Sequence, residues 1–560
     1  MSLLPVQEPP SEGSAPAPQK LSRFRGAGRV DVPVWAVGVA LSIGVAILVI
    51  YPTLSLFAEP RAEHWLRFLQ SDALVRSTLN TARLAVASTT TATLLGFLFA
   101  YGLTRPDLPG KKLFRATAIL PLISPPFVIG LAVLLLFGRR GLVTDTILGL
   151  DLEVFGFRGL WAVQTVAFFP VAVLSLTGVL RNISPSQEWA ARDLGHGWWG
   201  VFRRVTVPLA LPGIASAALL VAMLVIADFG NPILIGGRYR VLSVEAYLQA
   251  TGRFNLPAAA VICAVMLIPT VFLFLVQRYV LKKRSFVSVG GKDTSLDPVP
   301  TPPAVRRVLF VVMFTVSFFL ILIYATIVLG SFARTWGLDY SLTLEHFEHV
   351  VFRSQDLYNS ASFAAQAGLI TAIIAVTAAY LTQRTRFPGK SFLDGTIILP
   401  AALPGTMVGI AWLISFHTGL INLTGTSAII VLVMIVRTLP VGYRSGVAGL
   451  QQIDQSLDES SKDLGGGSVR TFVRVLSPLL RPAIAAAWAY AFLNSINTLS
   501  AVIFLIAPGT SLASVTIVGL AEYGHWGRAT AMGTSLIAVS LAVLVVFRVV
   551  TRGKLQLFRM

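Results

Sequence analysis

Apolar residues run along this chain in stretches of roughly 20 or more, enough for a helix to cross a hydrocarbon core, and polar residues gather in the short connections between them. The runs predict about twelve spans. Six fall in a first half, at 33–57, 76–104, 115–137, 159–181, 207–231 and 257–281. Six more follow at 306–332, 358–383, 393–416, 425–449, 479–507 and 527–551. Between the sixth and seventh spans the pattern turns polar, and Pro298, Pro300, Pro302 and Pro303 impose extended backbone that cannot continue a helix. The expected architecture is an all-α membrane protein of two six-helix units, 33–283 and 306–551. A cytoplasmic linker, 284–305, joins them, and disordered cytoplasmic tails, 1–32 and 552–560, flank them.

Composition narrows the class. With 55% hydrophobic and only 13% charged residues, against about 25% charged in soluble domains, the chain needs lipid along nearly its whole length. That excludes a globular enzyme on a single anchor. The net charge of +19 would suit nucleic acid if it lay on one face. Instead Arg23, Arg25 and Arg29, then Lys111, Lys112 and Arg115, then Lys282, Lys283 and Arg284, and finally Arg552 and Lys554 flank spans on one side. Positive-inside topology explains them and puts both termini in the cytoplasm. Arg139, Arg140, Arg238 and Arg240 fall on the opposite side and run against the rule. The first run is too long for a signal peptide. One cysteine, Cys263, excludes a disulfide or cysteine-rich metal framework within the chain.

The halves repeat one another. Arg105 to Lys111 is echoed by Arg384 to Lys390, and Leu120-Pro121 with Pro125 by Leu399-Pro400 with Pro404. Further on, Leu180, Ile183, Asp193, Leu194, Gly195, Phe202, Arg204, Val205, Pro208, Pro212 and Ile214 recur at one constant offset as Leu450, Ile453, Asp463, Leu464, Gly465, Phe472, Arg474, Val475, Pro478, Pro482 and Ile484. Both copies have the same topological parity, so this is a parallel duplication. The strongest similarity lies in polar cytoplasmic loops, 182–206 and 450–476, rather than on lipid-buried faces, which points to one job done twice at that surface.

These loops resemble the signature of the inner-membrane components of binding-protein-dependent ABC importers: Glu-Ala-Ala, three residues, Gly, nine residues, Ile-x-Leu-Pro. In the first half Ala190, Ala191, Gly195, Val205, Val207 and Pro208 fill the pattern, with Trp189 at the Glu position and Glu188 just before it. In the second, Glu459, Ser460, Ser461, Gly465, Val475, Ser477 and Pro478 do so, with serines for the two alanines. The resemblance covers about residues 33–551. It implies the type I importer permease fold, residence in a bacterial inner membrane, and docking of each loop on a separate ATPase subunit, two copies in all, with a periplasmic binding protein delivering cargo. Small residues suit entry into a groove, Gly195 and Gly465 permit the turn that follows, and Pro208 and Pro478 fit the first turn of the next span. A passive loop held at the headgroups by Arg203, Arg204, Arg470 and Arg474 is the plain rival. Gly290-Gly291-Lys292-Asp293 lacks the residues of a phosphate-binding loop, so ATP and Mg²⁺ are expected on the partner ATPase, with no cofactor bound by this chain, no metal site and no enzymatic activity of its own.

Polar residues at membrane depth are costly and become candidates for the path. Asp228 and Asn231 near the end of the fifth span, and Asn494, Asn497 and Thr498 in the eleventh, are placed to line it. Arg437, in the tenth, either favours an anionic cargo or bonds carbonyls freed by Pro440. Glu345, His346, Glu348 and His349 have the look of metal ligands, although a solvated loop is the commoner home for such a run. Within the family, Asp228 to Pro232, Gly236-Gly237 and Val241 to Glu245 look most like ferric iron permeases. Relatives carrying thiamine, polyamines, phosphonates or sugar phosphates are the alternatives. A secondary transporter driven by an ion gradient is the rival of another class, but it needs no twin cytoplasmic loops and more intramembrane carboxylates.

Overall fold

The structure is a computed structural model that describes residues 32–150, 153–281, 297–417 and 421–551. The expected tails, the basic cluster Lys282 to Arg284, Gly290 to Asp293 and the linker as far as residue 296 lie outside the described residues. Ten helices are long and apolar enough to cross a membrane, and two helix pairs bent at a break bring the number to twelve.

The third span of each unit is broken at the same point of the repeat. Lys111–Ile123 and Pro126–Phe137 are separated by Ser124, which is extended at φ −94 and ψ 157. Lys390–Ala402 and Gly405–His417 meet at 114° around Leu403, at φ −89 and ψ 126. Each extended residue precedes a proline, Pro125 or Pro404, whose ring disfavours helical backbone at that position. An apolar run alone conceals these breaks.

The fifth and eleventh spans end earlier than their apolar runs. Val207–Ala227 stops before Asp228, and Arg481–Ile496 stops before Asn497. Beyond them come a short helix, Gly230–Ile235, and buried turns around Leu499, Val502 and Leu505. The expected ends at 231 and 507 are therefore corrected: buried turns are as apolar as spans, and hydropathy does not separate the two. A small antiparallel hairpin also interrupts the all-helical reading. Strands β1 (Ala333–Thr335) and β2 (Asp339–Leu342) pair just outside the seventh span, and the Trp336 indole N–H donates to the Leu135 carbonyl at 2.9 Å.

The two units exchange their first helices. Val32–Ala58 packs on the second unit, where Trp35 meets Phe387 edge-on at 6.3 Å, Tyr51 meets Phe416 at 5.9 Å, and the Tyr51 hydroxyl donates to the Ser415 carbonyl. Pro303–Phe332 reciprocates on the first, through Phe114 against Phe310 at 5.7 Å and the Thr117 and Ser317 hydroxyls at 2.8 Å. Both stay peripheral: 22% and 28% of their apolar windows are buried, against 67% for Ser427–Gln451. That leaves their outer faces to lipid, and the central spans make the core.

The repeat also holds its outer segments in the same way twice. The Asn80 amide donates to the Arg240 carbonyl and Thr81 accepts from the Leu242 N–H. In the second unit the Asn359 amide donates to the Gly509 and Ser511 carbonyls, and Ser360 accepts from the Ala513 N–H.

Candidate coupling loops and translocation path

Each loop opens with a short helix, Pro185–Asp193 or Ser456–Asp463. The first ends in a left-handed residue, Gly195 at φ +83, where the Gly195 N–H donates to the Arg192 carbonyl and the His196 N–H to the Ala191 carbonyl. Gly465, at φ +76, ends the second. A β-carbon at either glycine would meet nothing within 4 Å. Glycine is required there by backbone conformation, not by crowding. The chain then enters a wide-turn helical segment, Phe202–Thr206 or Phe472–Leu476, before Pro208 or Pro478 begins the next helix. The first copy runs on as one span, Trp198–Ala227, whereas the second bends by 75° at Leu480. Pro212 and Pro482 occupy the same repeat position, so proline alone does not account for the difference.

The anchors of the two helices were not foreseen. Arg105, just past the end of the second span, forms a bidentate pair with Glu188 at 2.7 and 2.8 Å, and both side chains are buried. Glu188 also accepts from the Thr206 hydroxyl at 2.9 Å and the Val299 N–H at 3.2 Å. Burial pushes its carboxyl pKa up, but the Arg105 bonds and charge, helped by Thr206 and Val299, outweigh this and hold it below the ordinary value. Arg105 lies 4.3 Å over the Tyr101 ring. In the second unit Arg384 pairs with Asp458 at 2.9 Å and donates to the carbonyls of Leu450 and Ile453. Asp458 follows Glu188 by the same 270 residues that separate Leu450 from Leu180. The pairing is thus duplicated, and its carboxylate precedes the motif's Glu position in both copies. That register was available in the sequence; the partner arginine was not, because nothing local connects residue 105 to 188.

Of the other motif residues, Ala190, Ser460 and Glu459 face outward, while Ala191 is buried and Ser461 half-buried, its hydroxyl 2.8 Å from that of Thr471. Only one small residue of each pair is therefore free for a partner. Leu194 and Leu464, just before the glycines, are 80% and 88% exposed. Large apolar side chains thus stand exposed at matching tips, at positions that the motif itself does not mark. Tyr101 against Phe202 at 5.4 Å, and Tyr380 against Phe472 at 4.7 Å, join each loop to its second or eighth span.

The path candidates divide. Asp228 accepts from the Gln164 and Asn231 amides, both at 2.9 Å, and Gln164 accepts from the Ser88 hydroxyl at 3.2 Å. Ser88, Gln164 and Asn231 are fully buried, so this is a connected internal network. The Asp228 carbonyl accepts from Ser243, as the Thr498 carbonyl does from Ser514. Asn494 is exposed. Asn497 donates to the carbonyls of Ile123 and Leu493. Arg437 donates to the Leu403 carbonyl at 2.9 Å; the freed carbonyl lies at the break of the ninth span and not, as expected, near Pro440. His346 bonds the Ala333 carbonyl and Glu348 pairs with Arg353. No group of three metal-ligating side chains occurs among the described residues.

A family profile described as "Binding-protein-dependent transport system inner membrane component" matches residues 92–286 and again 371–555. The Ferric transport system permease protein FbpB of Actinobacillus pleuropneumoniae is 32% identical over 532 residues, covering 91% of this chain and 77% of that protein. A Putative ferric transport system permease protein FbpB 1 of Haemophilus influenzae is 31% identical over 485 residues, 83% of this chain and 77% of its own length. Molybdenum transport system permease protein ModB of Escherichia coli is 36% identical over 141 residues, 25% of this chain and 61% of that protein.

Proposed function

This chain belongs to the family of binding-protein-dependent transport system inner membrane components, and we propose on that premise that it passes ferric iron inward, driven by ATPase subunits docked on its two loops. Two copies of the ATPase, one under each loop, hold the ATP and Mg²⁺, and a periplasmic binding protein presents the cargo. Both termini lie in the cytoplasm. Glu459, Ala190, Ser460, Leu194 and Leu464 meet the ATPases, Glu188 positions its helix, and Gly195, Gly465, Pro208 and Pro478 shape the joint to the next span. Closure of the ATPase pair on ATP draws the loops together and turns the path from one face to the other.

The observation that carries this reading is the duplicated Arg–carboxylate pair, Arg105 with Glu188 and Arg384 with Asp458. These ion pairs, the first buried and the second partly buried, tie each exposed loop to a spanning helix, as transmission of force requires. Iron is supported by the two ferric transport permeases that resemble nearly the whole chain. A path with few fixed carboxylates also suits a hard trivalent ion, which several of them would hold too firmly to release. An anionic cargo drew its support from Arg437, and that support weakens once the guanidinium is bonded to Leu403.

The test is uptake by cells carrying the complete transporter, with radiolabelled ferric iron set against thiamine, putrescine and a phosphonate. Deletion is expected to abolish iron uptake alone. Unchanged iron uptake with loss of another solute refutes the cargo and leaves the permease standing.

A further inference from the structure

The two coupling helices differ at one position of the motif. The second presents Glu459, exposed to solvent. The first has Trp189 instead, and the carboxylate beside it, Glu188, is buried and occupied by Arg105, Thr206 and Val299. The first helix therefore offers no acid where the second offers one.

The inter-unit segment runs along that same helix. The Trp189 indole N–H donates to the Asp297 carbonyl at 2.8 Å, the Val299 N–H donates to Glu188, and Arg105 donates to the Val299 carbonyl at 3.4 Å. The Thr301 N–H donates to Asp107 at 3.1 Å. Pro298 and Pro300 keep the stretch extended, and Val299 and Thr301 are buried. Asp297 is exposed, next to the ring of the tryptophan that replaced the acid. Lys111 feels its charge, but no ion pair within 4 Å engages it among the described residues. A carboxylate left in water at this place is free to meet a cation on a partner.

We propose that Asp297 supplies to the first ATPase the carboxylate that the first coupling helix lacks at position 189, so that one docking surface is composite and the other is made by its loop alone. This rests on the reading that both loops dock ATPases. The two ATPase copies are then held by carboxylates of different origin, and the segment between the units is part of the machinery instead of a mere tether.

The test uses the complete transporter, with ATPase and binding protein, and measures both ATPase association and binding-protein-stimulated ATP hydrolysis. E459Q and D297N are each expected to weaken association by about two- to fivefold, the range of a solvent-exposed charge pair, more strongly at low salt. D297N should leave the thermal stability of the isolated permease unchanged, since the side chain is exposed. W189E is the decisive background: with an acid restored on the helix, adding D297N should cost nothing. An equal loss from D297N with Trp189 or Glu at the position overturns the proposal. So does a wild-type D297N beside an impaired E459Q, which leaves the docking of both loops intact. If neither acid matters and Gly195→Val and Gly465→Val also couple normally, the docking reading falls together with the proposal.

Discussion

The side-chain amide of Asn497 donates to the main-chain carbonyl of Ile123 at 2.8 Å, from the end of the eleventh span to the break in the third, across the boundary between the two units. The matching break of the ninth span is held from within its own unit, where Arg437 donates to the Leu403 carbonyl. A carbonyl freed inside a membrane has no water to turn to. Polar residues that looked like lining of the path thus also secure the breaks.

Replacing Asn497 by Leu should leave the Ile123 carbonyl unpaired and cost about 1–3 kcal/mol. A lowered unfolding temperature of the detergent-solubilised protein checks this. Unchanged stability with lost transport would assign Asn497 to the path alone.

Arg437→Gln keeps one donor for Leu403, whereas Arg437→Leu keeps none. The glutamine variant is expected to transport within about threefold of wild type and the leucine variant to lose folded protein, because an orphaned buried carbonyl carries its full desolvation penalty. Size-exclusion chromatography read beside uptake separates these outcomes from those of a path charge, for which glutamine would fold normally and fail to transport.

Breaking the first anchor should be severe. Arg105→Ala leaves Glu188 buried without its ion, at a cost of about 3–5 kcal/mol. The second anchor, Arg384 with Asp458, should behave similarly. The Glu188 pKa lies below the ordinary carboxylate value, so the anchor is complete above the ordinary range and is lost only as pH falls through the lowered value. Protease sensitivity of the first loop, followed as pH is lowered, should rise only once the ordinary carboxylate range has been passed.

Gly195→Val and Gly465→Val force a β-branched residue into left-handed backbone, a strain of about 1–3 kcal/mol. With open space around both glycines, the protein should insert and fold while the loop turns wrongly. Stimulation of ATP hydrolysis by loaded binding protein is expected to fall, and asparagine, which tolerates this backbone better, should do less harm than valine.

Much of this was legible beforehand because membrane solvation writes itself into long apolar runs, and duplication writes itself into register. Gly195, Gly465, Pro208 and Pro478 were visible for that reason. Arg105 with Glu188 was not, since the two meet only after the loop folds back on the second span. Asp297 was hidden for the same cause, read as linker because proline and polarity describe a segment's backbone and say nothing of what it lies against. Trp189, by contrast, looked like a simple departure from a motif. Its significance lies in a carbonyl 108 residues away.

The exchange of first helices has a consequence for synthesis. Val32–Ala58 is made long before its partner: the Ser415 carbonyl that receives Tyr51 is 364 residues further along the chain. At ribosomal speeds of 5–20 residues per second, that helix waits roughly 20–70 s in lipid before its partner exists. Until the second unit is made, the first therefore lacks the main packing partner of its first helix, and a ribosome that stalls midway leaves a half-protein with that helix largely unclaimed, open to capture by quality control or by the wrong neighbour.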